Sequence, residues 1–334
     1  RYCFFNEQLT KEEYEKRMSE INLGKRSEVR TWQKKFDAVY KEAIRKCVMN
    51  IRTENSLGDN LRECKNCYMC FRAVGKSENI RYVAPCDRMT NAMDSTGAQS
   101  SFLYEVAGAV QTENARFTLV HRIGREVEYS TECINCDYVF GCISLRNKKF
   151  CIFNVQYTED KYWKKVDEIK TKMLADGEYG EFFPLSISVT AYQDSSAVIG
   201  HPLSAEEVAR HGWHVQEKDA ETLDLTQMNA LRAEEVPDDI SDVTDEILKT
   251  PIICERTGKP FRITPFELAF YRARRLPLPT IHPLERIKDL FTFRRPFRLF
   301  QYPCTKCGKD MHTSFDPALN YKVYCESCYN AEVA

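Results

Sequence analysis

Apolar positions along this chain follow two different rhythms. From Ser27 to Ile51, Val29, Trp32, Phe36, Val39, Tyr40 and Ala43 recur at three- and four-residue steps, which predicts a helix. After Gly58 the texture changes to short segments mixing Cys, Asn, Tyr and aliphatic residues: NCYMCF at Asn66, NIRYVA at Asn79, NAMDST at Asn91, SFLYEV at Ser101, NARFTLV at Asn114, VEYSTE at Val127, NCDYVF at Asn135 and NKKFCIF at Asn147. Most steps are about ten to thirteen residues, which suits successive strands of a short β-solenoid, each coil burying one side chain in two. Small thiols would fill the narrow interior, and Asn would take the left-handed bends.

An internal repeat frames this region. Tyr2 to Ile21 aligns without gaps on Phe150 to Ile169, with nine identities at an offset of 148, so one supersecondary unit occurs twice. Each copy reads as a short strand, a turn and an amphipathic helix. Thr10 with Glu13 forms a candidate capping box, and Thr158 with Lys161 takes its place in the second copy. The first copy lacks the material on which it should pack, so the reading expects a piece of a longer protein with a repeated unit of about 150 residues.

Further along, Gly177 to Pro184 reads as a helix stop and turn, and Ser204 with Glu207 as a capping box. His211, Trp213 and His214 are read as exposed or packing residues rather than a site. Gln216 to Thr250 carries eleven acidic and three basic residues, whereas Cys254 to Phe300 carries eleven basic and four acidic. The acidic stretch is expected to be a solvated linker or exposed helix that could cover its basic neighbour. The basic module reads strand, turn, strand, helix. Its Arg272, Arg274, Arg275, Arg286, Arg294, Arg295 and Arg298 interleave with aromatics, the composition that phosphate contact and base stacking need.

Five segments follow: 1–57, the first repeat unit and a second helix; 58–175, the Cys/Asn-rich solenoid ending in the second repeat unit; 176–250, mixed and acidic; 251–300, a basic degenerate knuckle; and 301–334, a zinc ribbon. The fold class expected is α+β, a short solenoid flanked by helices with small C-terminal zinc modules. At 334 residues and 43% hydrophobic content the chain can bury a real core, and its net charge of −1 gives no overall nucleic-acid signature. No apolar run reaches the ~20 residues of a membrane span, and no membrane partner is expected.

The chemistry rests on the fifteen cysteines. Cys304, Cys307, Cys325 and Cys328 stand as C-x2-C, seventeen residues, C-x2-C, a spacing that can close a thiolate tetrahedron around Zn²⁺ and leave no open position. Disulfides across two intervening residues would be strained. Cys254, with Thr257-Gly258-Lys259, resembles a knuckle whose second thiol is replaced, and His282 falls where a returning ligand would stand. A second zinc would therefore use Cys254 and His282. Cys64, Cys67 and Cys70 open an iron–sulfur pattern, but its fourth thiol is replaced by Val74 and the next is Cys86. Residues three apart on an extended strand face opposite ways, so these thiols are read as core. The clustering and odd number of cysteines favour a reducing compartment, hence the cytoplasm.

The phrases LRNKKFCIFNVQYTEDKYWKKV, CKNCYMCF, GEYGEFFP and TGKPFRI…ELAFYR…LPLP…HP, with the terminal ribbon, together resemble uncharacterised zinc-ribbon proteins of reduced-genome bacteria. The resemblance covers most of the chain and implies the fold rather than an activity. In such proteins the TGKPFRI module often carries all its knuckle cysteines, where this chain has Thr257 and His282.

No P-loop, dinucleotide fingerprint, nucleophile elbow or HExxH motif is present, and no small-molecule substrate is evident. Glu105, Glu126, Glu128 and Asp137 could cluster as carboxylates only if the coils align them. The expectation is a non-enzymatic zinc-binding adaptor or scaffold whose C-terminal modules engage protein or nucleic acid. The alternative is an iron–sulfur or thiol redox protein on Cys64, Cys67 and Cys70, and a third reading is a purely structural protein.

Overall fold

The computed structural model describes residues 2–188, 190–200, 202–215 and 229–333. The fold is α+β, organised around a β-solenoid of about eight turns. Its chain forms two compact units: residues 1–43 with 217–294, and residues 44–216 with 295–334.

The solenoid repeats every three residues, not two. From Ser101 to Glu128, Leu103, Val106, Ala109, Thr112, Ala115, Thr118, His121 and Val127 all point inside and are buried. The residue before most of these is left-handed: Phe102, Glu105, Gln111, Asn114, Phe117, Val120 and Glu126 have φ between 44° and 54°. A left-handed residue at every third position turns the chain through a corner, so only the residue after it faces the axis. Such conformations are costly for non-glycine residues, and hydrogen bonds between coils offset that cost. Asn135 N donates to Arg122 O at 2.8 Å, and Arg122 N donates to Cys133 O at 3.1 Å. Asparagine lowers the cost further. Asn66, Asn79 and Asn91 are left-handed, and their amides form a ladder at 3.0 and 3.1 Å.

Neighbouring coils run parallel, with Ile80 beside Ala92, Ala92 beside Leu103, and Val127 beside Val139. The core is therefore a narrow column of small side chains. The sulfur or hydroxyl of an inward residue donates to the carbonyl two residues earlier: Cys64 to Arg62, Thr118 to Arg116, Ser130 to Glu128, Cys142 to Phe140. This explains the composition, because Cys, Ser and Thr both fit the column and satisfy buried carbonyls. The expected alternation by two fails because the chain turns a corner at every third residue.

Both repeat units are hairpins followed by a helix. Strands Tyr2–Phe4 and Glu7–Leu9 join through Phe5 and Asn6, and strands Lys149–Ile152 and Val155–Gln156 through Phe153 and Asn154. Both turns have positive φ at their two central residues, the I′ geometry of tight hairpins (48° and 67°, then 46° and 66°). Helix α1, Lys11–Ser19, has the Thr10–Glu13 capping box. Helix α2 is Arg26–Glu42. Helix α3, Glu159–Ala175, lacks a side-chain cap and closes the end of the solenoid, with Tyr162 and Val166 packed on Phe140 and Ile152. The helix ends before Gly177, and Tyr179 donates to the buried carboxylate of Glu128 at 3.0 Å, which also meets Lys170 at 2.5 Å.

The opposite end of the solenoid carries the C-terminal ribbon. Strand Val323–Tyr324 pairs in parallel with Arg45–Lys46, Thr313 donates to Cys47 O at 2.7 Å, and Cys47, Phe315 and Val323 share a small core.

The other unit corrects one expectation. The described part of the acidic stretch is not a solvated linker: Val236, Ile240, Val243 and Ile247 pack with Ile252, Phe261, Leu268 and Leu278. Three short 3-10 turns place these apolar residues inward while the carboxylates stay outside. Residues 216–228 lie outside the described residues. The basic module has antiparallel strands Ile252–Ile253 and Pro260–Phe261 and a helix Pro265–Arg274 capped by Thr264 and Glu267.

Candidate metal centre

The ribbon hairpin Phe300–Pro303 and Asp310–Thr313 ends in a knuckle that the sequence shapes directly. Gly308, at φ +75°, takes a left-handed turn that lets its amide return to Cys304 O at 2.8 Å while Cys304 N donates to Lys309 O at 2.9 Å. The second pair is delivered by Val323–Tyr324 and the start of the helix Glu326–Val333. One ligand atom from each of Cys304, Cys307, Cys325 and Cys328 lies within 4.8 Å of the others. Cys307 Sγ and Cys325 Sγ are 3.9 Å apart, close to the ~3.8 Å edge of a thiolate tetrahedron with 2.3 Å metal bonds.

The surroundings favour thiolate at Cys304 and Cys325, whereas hydrogen bonds with Cys325 and Cys307 push the Cys328 thiol up to about 12. Burial pushes the Cys304 thiol up, but the amides of Cys325, Cys307 and Lys306 outweigh it and hold the thiol down at about 6; the Cys325 amide lies 3.3 Å from Cys304 Sγ. The Ser327 hydroxyl, 3.2 Å from Cys325 Sγ, lowers that thiol too. The four sulfurs could therefore hold a metal ion, and four protein ligands would leave it no open position.

A second knuckle in the basic module repeats this backbone pattern without the donors. Gly258 N donates to Cys254 O at 2.9 Å, Cys254 N to Lys259 O at 3.0 Å, and His282 N to Cys254 Sγ at 3.2 Å. Thr257, His282 and Glu285 thus stand where Cys307, Cys325 and Cys328 stand in the ribbon. His282 Nδ1 accepts from Leu284 N at 3.2 Å, capping its own helix, and Glu285 is drawn to Lys288 at 2.7 Å and Arg256 at 3.6 Å. Among the described residues, three or more donors within reach of one ion come together at Cys304, Cys307, Cys325 and Cys328.

Cys64, Cys67 and Cys70 do all face inward, against the strand-alternation argument, because the coil repeats every third residue. Each donates to a backbone carbonyl at 3.3 to 3.4 Å. Among the described residues they do not form a metal-sized group with Cys86. The hydrogen bond with Cys67 and then burial push the Cys64 thiol far up, and burial pushes Cys86 up to about 12, which keeps both as thiols, whereas the hydrogen bond with Cys67 lowers Cys70.

The seven arginines fall in both units. Arg272 pairs with Asp245 at 2.7 Å and also donates to Val243 O, so the acidic stretch does cover this part of the basic module. Arg286 donates to Tyr271 Oη at 2.8 Å. Arg274 and Arg275 end the helix Pro265–Arg274, with Arg275 left-handed at φ 49°. Arg294 lies over Phe291 and Arg298 over Phe300. Arg295 pairs with Asp59 at 2.8 Å. His211 and His214 flank Gly212 beyond the helix Ala205–Arg210.

The charged hub at Asp59 and the buried His121 escape any motif. Asp59 accepts from Met49 N at 2.7 Å, from Asn60 N at 2.9 Å and from the Ser314 hydroxyl, besides its pairing with Arg295. Two of these partners, Arg295 and Ser314, lie more than 230 residues away, so local spacing carries no signal.

Compared with protein-family models, curated proteins and solved structures, the chain matches none.

Proposed function

We propose that this protein is a non-enzymatic zinc-binding adaptor: a solenoid scaffold whose C-terminal ribbon takes one Zn²⁺ for structure and whose C-terminal modules engage a partner. The observation that carries this reading is the four-sulfur group, since Cys₄ suits Zn²⁺ and a closed shell stabilises a small domain rather than activating water. The ribbon also supplies Val323–Tyr324 to the start of the solenoid, so metal and scaffold are coupled. Core thiols engaged with carbonyls support packing rather than redox chemistry for Cys64, Cys67 and Cys70. Free cysteines throughout favour a reducing compartment, the cytoplasm. No described helix is long and apolar enough to cross a membrane.

The partner is proposed to be a protein. Arg272, Arg286 and Arg295 are already engaged within their own units, which reduces the basic surface left for phosphate. Elemental analysis of anaerobically purified protein tests the metal: one zinc and no iron per chain is expected, and iron near two or four per chain overturns the reading. Binding of RNA or DNA at low salt that collapses when Arg274, Arg275, Arg294 and Arg298 are reversed would assign the partner as nucleic acid instead.

A further inference from the structure

The two repeat units are built alike and covered unequally. In the second, Lys149–Ile152 lies parallel on Asp137–Phe140, with Cys151 beside Val139 and Ile152 beside Phe140; Cys151 is 1% exposed and Tyr162 3%. The first unit has the same turn and the same ring contact: Tyr2 and Tyr14 are 5.6 Å apart, as Phe150 and Tyr162 are 5.7 Å apart. Yet Cys3 is exposed, α1 buries no residue, and Tyr2–Phe4 pairs only with its own hairpin partner among the described strands. The edge that corresponds to the solenoid-bound edge of Lys149–Ile152 is open.

Open strand edges with apolar flanks are costly unless something pairs with them. The hairpin does not need Cys3 for its turn. Phe4, which corresponds to Ile152, already has Trp32 against it at 5.6 Å, and Tyr14 packs on Tyr2, so what stays open is the strand edge with the exposed Cys3 and the outer side of Tyr14. Both residues are identical to their counterparts Cys151 and Tyr162, whose place in the second unit is against a coil.

We propose that residues 2–21 are a cap for one coil of a three-residue-period solenoid, which lies parallel on Tyr2–Phe4 with a small inward residue beside Cys3, as Val139 lies beside Cys151. The occupant is a free terminal coil like Asp137–Lys148. A second copy of this chain does not offer one, because its solenoid ends carry α3 at one side and the ribbon at the other. This inference is independent of metal in the ribbon.

The test is a transplant within the full chain: Phe150–Ile169 replaced by Tyr2–Ile21. If the first unit is a cap, the chimera keeps its thermal transition within about 5 °C of the parent, and amides of Asp137–Phe140 stay protected from exchange. Loss of that protection overturns the proposal. A second chimera carries Cys3→Asp and Tyr14→Asp in the transplanted segment; it should lose protection at Asp137–Phe140, and retained protection would mean that any hairpin suffices. The same two substitutions at their native place should leave the parent transition unmoved, whereas a clear drop would show that the unit already uses these residues itself.

Discussion

Arg295 Nη1 lies 2.8 Å from Asp59 Oδ2, joining the segment that leads into the ribbon to the first strand of the solenoid. The Asp59 side chain is 5% exposed and the Arg295 side chain 29%. A carboxylate this deep is tolerated because two amides, a serine hydroxyl and a guanidinium surround it. Removing the carboxylate leaves the cation and two amides without their acceptor. Asp59→Ala is expected to cost about 3 kcal/mol, read as a lowered urea midpoint with unchanged slope. A loss below about 0.5 kcal/mol would place Asp59 among ordinary surface pairs.

His121 gives the solenoid a specific acid sensitivity. Its ring is fully buried, and its Nδ1 lies 3.1 Å from Thr112 Oγ1. Since the Thr112 hydroxyl donates to Val110 O at 3.2 Å, Nδ1 carries the proton and Nε2, which has no partner among the described residues, is left as a bare acceptor. Burial holds this histidine down at about 4, against a small opposing pull from Asp137. The native state therefore favours the neutral ring. Its contribution is complete above about pH 6.5, the unfolded value, and falls away as pH drops toward 4, reaching a loss of about 3 kcal/mol. Urea unfolding from pH 7.5 to pH 4.5 should show this loss, and His121→Asn should remove most of it. Identical pH profiles for the two proteins would contradict the assignment.

Much of this fold is legible in the sequence, but its period is not. The repeat of Tyr2–Ile21 on Phe150–Ile169 and the Cys304 to Cys328 spacing announce themselves because each is local and identity-bearing. The three-residue period hides because its inward positions include Thr112, Thr118, His121 and Ser130, which no hydropathy pattern marks as core. Thr112, Thr118 and Ser130 are tolerated there because their hydroxyls bond the carbonyl two residues back, a condition visible only once the coil exists. Asp59 with Arg295 is illegible for another reason: the pairing joins distant segments through tertiary closure alone.

Close approach of coils makes glycine necessary at Gly124. A Cβ there would lie 2.0 Å from Cys136 O and 2.7 Å from His121 Cε1. The carbonyl belongs to the next coil and cannot move without breaking the parallel register. Gly124→Ala is expected to cost about 3 kcal/mol by overpacking, with exchange protection falling first in the coils on either side. A stable, fully protected variant would mean that the coils can separate locally.

Metal removal should unfasten one end of the solenoid and spare the other. The ribbon segment Lys322 to Tyr324 is bonded to the start of the solenoid: Arg45 N donates to Lys322 O at 2.9 Å and Cys47 N to Tyr324 O at 3.0 Å. An ion held by the four sulfurs, which gather within 4.8 Å, would link the two knuckles, and its removal would break that link. Chelation, or Cys325→Ser, is therefore expected to raise exchange at Arg45 and Cys47 by about tenfold or more, the equivalent of about 1.4 kcal/mol of local stability. Amides of Val127 to Phe140, at the far end under α3, should keep their protection, since their partners are other coils. Exchange that rises evenly along the whole solenoid would make the metal a determinant of global folding instead. Exchange that does not rise at Arg45 would show that the ribbon holds its strand by packing of Phe315 and Val323 alone.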